Sequence, residues 1–187
     1  MPDLDTLLER CREGDDLAWE ALIRKYQGRV YGLAFHYMRD REEARDAAQD
    51  VFIRVYQRLD SLKEGQAFLP WMLRLARNSC IDRLRRLKVR TPDIAVPVED
   101  APEIPAPDLS PEETTILGAR HGLVYRALGQ LSEKNREIIL LKDIQELKLE
   151  EIADLLALPL GTVKSRTNRA RIELAKAVRL LDPSYGA

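Results

Sequence analysis

Apolar residues recur three and four positions apart along most of the chain, the period of helices that bury one face. Leu17, Leu22, Tyr26, Val30, Leu33 and Tyr37 make one such stripe, predicting a long amphipathic helix with Gly28 as a candidate break. Ala44, Ala47, Ala48, Val51, Val55 and Leu59 make a second, and Phe68 to Leu87 contains a third. The opening MPDLDTLLERCREGDD is also helical in pattern. No segment alternates with the period of two that a half-buried strand requires, and no internal repeat is evident. The pattern predicts an all-α protein.

One stretch breaks the pattern. Thr91 to Pro111 holds six of the ten prolines and no glycine. Proline lacks the amide hydrogen that helices and central strands need, so this stretch reads as an extended, semi-stiff linker. The predicted organisation is a domain over 1–90, a linker over 91–111 and a second domain over 112–187.

The second domain opens with a helix-start signature: Ser110 as N-cap, Pro111 at the first helical position and Glu113 where a capping box places its carboxylate. Ser132 caps a helix running through Arg136 to Lys142. A short helix covers Leu149 to Leu156, a tight corner follows at Ala157-Leu158-Pro159, and a last helix runs from about Gly161 to Leu181 before Asp182-Pro183 stops it.

The formal net charge of -1 hides an asymmetry. Residues 1–90 carry 18 Lys/Arg against 15 Asp/Glu, and residues 114–187 carry 12 against 9. Residues 91–113 carry no basic residue and seven acidic ones. Two mildly basic bodies therefore flank an acidic tether. No apolar run approaches the ~20 residues that span a bilayer, and the acidic N-terminus is no signal peptide, which points to the cytoplasm. Cys11 and Cys80 are far apart and have no partner at metal-ligand spacing, so both read as buried thiols and no metal or cofactor is expected.

A short helix, a tight corner and a second helix with a basic outer face is the plan of a helix-turn-helix. At 100° per residue, Val163, Thr167, Ala170, Leu174, Ala177, Val178 and Leu181 share the inner side of the last helix. Ser165, Asn168, Arg169 and Ile172 project opposite, with Lys164 on one flank and Thr162 on the other. Asn168 and Arg169 suit base edges, whereas Lys164, Arg166 and Arg171 suit phosphates. Gly161 to Leu181 contains six Lys/Arg and one acid. A solvated charged face is the plain alternative; the corner proline and the concentration of cations on this helix favour DNA binding.

Pro159-Leu-Gly-Thr-Val-Lys-Ser-Arg166 followed by Asn168-Arg-Ala-Arg171 resembles the region 4 signature of extracytoplasmic-function sigma factors, and Leu131-Ser-Glu-Lys-Asn-Arg-Glu137 resembles the start of that region. Asp46 to Tyr56 (DAAQDVFIRVY) resembles region 2.2, and Phe68 to Arg83 (FLPWMLRLARNSCIDR) resembles regions 2.3 and 2.4. The ordered set is more specific than any one motif. Ala157, where the family often has glycine, and Pro70, just before Trp71, depart from the pattern; Asn168 lies at a variable position.

The resemblance implies two helical domains, region 2 and region 4, and a set of roles. Asp46, Gln49, Asp50, Phe52 and Arg54 would dock on the clamp helices of the polymerase largest subunit, with Val51 and Val55 in the core. The loop Ser61 to Ala67 and the helix after it would capture the −10 element, through Phe68, Trp71, Arg74, Arg77, Asn78, Arg83, Arg85 and Arg86. Of these, Asn78 matches a family pocket position and Trp71 reads more readily as a core anchor than as a stacking platform. Thr162, Lys164, Ser165, Arg166, Asn168, Arg169 and Arg171 would read or grip the −35 duplex. The implied partners are core RNA polymerase, including its beta flap, promoter DNA and an anti-sigma factor, with no small-molecule substrate and no membrane insertion.

Two other classes compete with this one. A two-domain transcriptional regulator explains the C-terminal half equally well, but not an Arg-rich helix in the first domain. An enzyme is disfavoured: no GxxxxGK[ST], HExxH, GxSxG or paired-cysteine motif occurs, and His36 and His121 are isolated.

Overall fold

The computed structural model describes residues 3–63, 65–90 and 122–184. The linker and the predicted helix start at Ser110, Pro111 and Glu113 lie outside the described residues. The chain divides into two compact units, Met1–Val96 and Pro97–Ala187. Among the described residues all regular structure is helical, and no helix is long and apolar enough to cross a membrane.

The first unit is built from α1 (Leu4–Arg12), α2 (Asp16–Met38), α3 (Arg41–Arg58), a 3-10 turn (Leu59–Ser61) and α4 (Phe68–Arg90). Short acidic side chains start each of the first three helices, satisfying amide hydrogens that have no intrahelical acceptor. Asp3 accepts from the Leu4 amide, Asp15 from the Leu17 and Ala18 amides, and Asp40 from the Glu43 amide. Asp15 also accepts two hydrogen bonds from the Arg10 guanidinium, at 2.9 and 2.7 Å. These bonds lower its pKa and tie α1 to the start of α2. Trp19 closes the same corner by donating to the Cys11 carbonyl at 2.9 Å.

The candidate break at Gly28 does not occur: α2 runs unbroken for 23 residues. A mid-helix glycine costs about 1 kcal/mol relative to alanine, and α2 packs against both α3 and α4, which outweighs that cost. Leu22, Val30 and Leu33 of α2 meet Ala44, Ala47, Val51 and Val55 of α3 and Met72, Leu73 and Ala76 of α4 in the core. The alanines let α3 lie close. Both cysteines are buried, as the pattern implied, and burial pushes the Cys80 thiol up to about 12. His36 is also packed in, with Nδ1 buried and unpartnered. Burial, and secondarily the Arg39 charge, lowers its pKa to about 4.

The second unit contains α5 (122–130), α6 (Glu133–Ile139), a π turn (Leu140–Ile144), α7 (Leu149–Leu156) and α8 (Leu160–Leu181). Ser132 caps α6, accepting from the Asn135 amide. The helix predicted to run to Lys142 keeps α geometry only to Ile139. It then widens, and the Gln145 amide reaches back five residues to the Leu140 carbonyl at 2.8 Å. The core is aliphatic, with Leu123, Ala127, Leu128, Leu131, Ile139 and Leu140 facing Ala170, Ala177 and Val178 of α8. Leu181, placed inside by the wheel, is over a third exposed; it lies in the last turn of α8, past the buried Ala177 and Val178. Arg136 is buried and donates to the carbonyls of Leu128, Gly129 and Leu131 at 2.6 to 2.8 Å. It places a cation on the carbonyls at the end of α5, where the helix dipole is negative.

Candidate nucleic-acid interface

The corner between α7 and α8 is set by two residues. Ala157 closes α7 in the left-handed region at φ 53°, ψ 48°, and Pro159 supplies the extended turn from which α8 starts. The Thr162 and Val163 amides bond back to the Pro159 carbonyl at 2.9 and 3.1 Å. Val163, Thr167 and Ala170 then point inward, and the Thr167 hydroxyl is satisfied by donating to the Val163 carbonyl at 2.8 Å.

The outer face of α8 is as the wheel placed it: Lys164, Ser165, Asn168 and Arg169 are exposed, with Ile172 beside them. Thr162 and Arg166 are half-buried on its edge. The Ser165 hydroxyl donates to the Thr162 carbonyl at 3.1 Å, and the Arg169 side chain lies back along the helix toward the Ser165 carbonyl. Two neighbours on this helix are engaged. Arg171 forms a two-pronged ion pair with Asp143 of the π turn, and Glu173 accepts from the Asn135 side chain at 2.7 Å.

In the first unit, the helix α4 begins at Phe68 as predicted; Pro70 falls in its first turn, where an amide hydrogen has no intrahelical acceptor anyway. Arg74, Asn78, Arg85 and Arg86 are exposed, and Arg77 is half-buried. Three residues of the predicted DNA set point elsewhere, Trp71 among them as its core-anchor reading expects. Phe68 is 3% exposed and Trp71 9%. Phe68 packs against Tyr26 and Trp71, so this pair anchors the start of α4 rather than offering a ring to a base. Arg83 turns from the other arginines toward α3, where it meets Glu43 at 2.7 Å, Asp50 at 3.1 Å and Asp46 at 3.3 Å.

That ion-pair group occupies two residues predicted for a protein interface. Asp46, Gln49 and Asp50 are exposed on α3, and Phe52 and Arg54 are half-buried, with Val51 and Val55 in the core as expected. The carboxylates of Asp46 and Asp50 face Arg83.

The sequence compares with known proteins along nearly its whole length. Residues 22–90 match the Sigma-70 region 2 family model, and residues 121–174 match that of Sigma-70, region 4. The RNA polymerase sigma-H factor of Pseudomonas aeruginosa is 34% identical over 180 residues, covering 94% of this chain and 93% of that one. The ECF RNA polymerase sigma factor SigW of Bacillus subtilis is 33% identical, covering 92% and 95%. The chain belongs to the ECF RNA polymerase sigma factors. The structure of the sigma factor RpoE in complex with the anti-sigma factor NepR, from Bartonella quintana, shares the fold at a TM-score of 0.68 and 23% identity, covering 86% of this chain and 96% of that one.

In this sigma factor α2 through α4 make region 2, and α5 onward makes the matched part of region 4. Sequence reasoning missed Ile53 and Tyr56 of α3, which are 55% and 64% exposed. Tyr56 lies on Trp19 with ring centroids 5.0 Å apart, so a partly apolar surface runs along the sigma factor's region 2. The available signal was phase: Ile53 and Tyr56 fall off the buried Val51–Val55 stripe. Asp143 and Arg136 were also missed, because both depend on partners 28 and five to eight positions away.

Proposed function

We propose that this sigma factor binds core RNA polymerase in the cytoplasm, reads the −10 element with α4 and the loop before it, and reads the −35 element as duplex with α8. The observation that carries this reading is that, among the described residues, each unit presents one helix whose cations far outnumber its acids, seven to one on α4 and six to one on α8, its inner face buried and cations on its outer face. On α8, Asn168 and Arg169 would meet base edges while Lys164 and Arg166 grip phosphates. On α4, Arg74, Arg77, Arg85 and Arg86 would track the backbone beside Asn78, and the opened strand would be held by that polar surface. On α3, Gln49, Phe52 and Arg54 would meet the polymerase clamp, with Ile53 and Tyr56 adding apolar area and Asp46 and Asp50 contributing charge around Arg83.

No step in this reading makes or breaks a covalent bond, so the protein acts as an initiation factor and not as an enzyme. An anti-sigma factor would silence it by covering the same faces; the RpoE–NepR complex shows a protein of this fold held by such a partner. The test is a pull-down of bacterial core polymerase with the full chain, followed by transcription from candidate promoters. Arg169→Ala should lose promoter-specific transcripts, about tenfold or more for one directional base contact, while core binding stays intact. Phe52→Ala should weaken core binding instead. Normal transcription from the first variant would remove Arg169 from promoter reading, and normal core binding by the second would move the polymerase surface off α3.

A further inference from the structure

The predicted phosphate-binding set on α8 included Arg171, but the structure gives that side chain another partner. Its Nε donates to Asp143 Oδ2 at 3.2 Å and its Nη2 to Oδ1 of the same carboxylate. The Nε–Nη2 edge of the guanidinium is thus committed to one carboxylate in a two-pronged pair. Arg171 lies two turns beyond Lys164 on the same flank of α8, and the pair is half open to solvent. A passing phosphate can therefore reach it.

We propose that Asp143 is a positioning residue for promoter reading: it holds Arg171 off the phosphate backbone and lowers by about one the number of phosphates that the helix-turn-helix neutralises. The charge balance gives this result in either state of the pair. With the pair intact, Arg171 offers no net charge to DNA. With the pair broken, Arg171 can bind a phosphate, but the bare Asp143 carboxylate then stands beside the polyanion. Sequence-independent grip comes from cations on phosphates, whereas Asn168 and Arg169 carry directional contacts. Asp143 thus trims the first without touching the second. The inference rests on α8 being the DNA-facing helix.

The experiment measures holoenzyme, reconstituted from the full chain and bacterial core polymerase, on duplex DNA across a salt series. For Asp143→Asn, the plot of log affinity against log salt should steepen by about 0.9, so that affinity lost between about 50 and 200 mM grows some threefold. Arg171→Gln alone removes the cation and leaves the Asp143 carboxylate beside the DNA, so its slope should be no steeper than that of the wild type, and Asp143→Asn/Arg171→Gln should return to the wild-type slope. Asp143→Ala provides a second charge-removing variant. A purely structural Asp143 would instead weaken binding at unchanged slope, which would overturn the proposal. A slope reduced by about 0.9 in Asp143→Asn/Arg171→Gln would overturn it too, because Arg171 would then sit on a phosphate in the wild type. Lys164→Ala and Arg169→Ala serve as controls: if neither weakens DNA binding, the DNA-facing reading of α8 fails and takes the inference with it.

Discussion

The two units hold a basic helix in different ways. In region 2, α4 is fixed by large aromatic side chains: Phe68 and Trp71 sit in the core with Tyr26, and Trp19 closes the corner between α1 and α2. In region 4, Tyr125 is the one aromatic among the described residues, and α8 rests on aliphatic side chains. Its flanks carry polar links, Arg171 to Asp143 and Glu173 to Asn135, as α4 does where Arg83 meets three carboxylates of α3. The difference matches the tasks proposed for each unit. A surface that holds an opened strand needs a scaffold that does not yield, whereas a helix that reads intact duplex must enter a groove at a set angle. Aromatic packing supplies the first, and aliphatic packing braced by links at the helix edges supplies the second.

The sharpest way to break this comparison is at the aromatic anchor. Phe68→Ala should destabilise region 2 by about 4 kcal/mol, through lost burial and the cavity left behind. Both tryptophans, Trp19 and Trp71, lie in the first unit, so their fluorescence reports its unfolding alone. Denaturant titration followed by tryptophan emission should show the full loss; a shift below about 1 kcal/mol would mean that Phe68 is not the anchor.

Arg136→Ala tests the second unit. It removes a buried guanidinium and leaves three carbonyls at the end of α5 without that donor, a change expected to cost about 3 kcal/mol. Here the circular dichroism transition should move earlier while tryptophan emission stays in place. If both signals shift together, the units do not unfold independently.

A smaller effect comes from His36. Above pH 6.5 the imidazole is neutral in folded and unfolded chains alike, and it adds no pH dependence. As pH falls below 6.5 the unfolded chain takes up a proton that the folded one refuses until about pH 4. Region 2 should lose roughly 2 to 3 kcal/mol over that window. Tryptophan-detected stability measured between pH 7 and 4 should show the slope, and His36→Gln should flatten it.

Much of this was legible in the sequence. The stripes along α2, α3 and α8 marked the buried faces except at the helix ends, where Leu17, 70% exposed, and Leu181 lie open, because helical period and burial report the same geometry only along the packed length. Lys164, Ser165, Asn168 and Arg169 were placed by phase alone. Reading failed where a side chain's direction depends on another helix. Arg83 and Arg171 look like their basic neighbours in sequence, yet each is drawn aside by carboxylates 28 to 40 positions away. Phe68 was misassigned because a family role was carried to a residue whose apolar character already pointed to the core. The π turn at Leu140–Ile144 had no local signal, since its residues fit an ordinary helix equally well.

The unbroken α2 has a consequence for how region 2 assembles. The helix is ~34 Å long, long enough to contact both α3 and α4, yet it carries Gly28 and Gly32, each with open space where a methyl group would fit. Both sacrifice local helix preference without a steric reason for doing so. A segment so composed does not persist as an isolated helix in water and gains its order from its neighbours. Region 2 should therefore form in one step, with α2 gaining its order together with α3 and α4 rather than ahead of them.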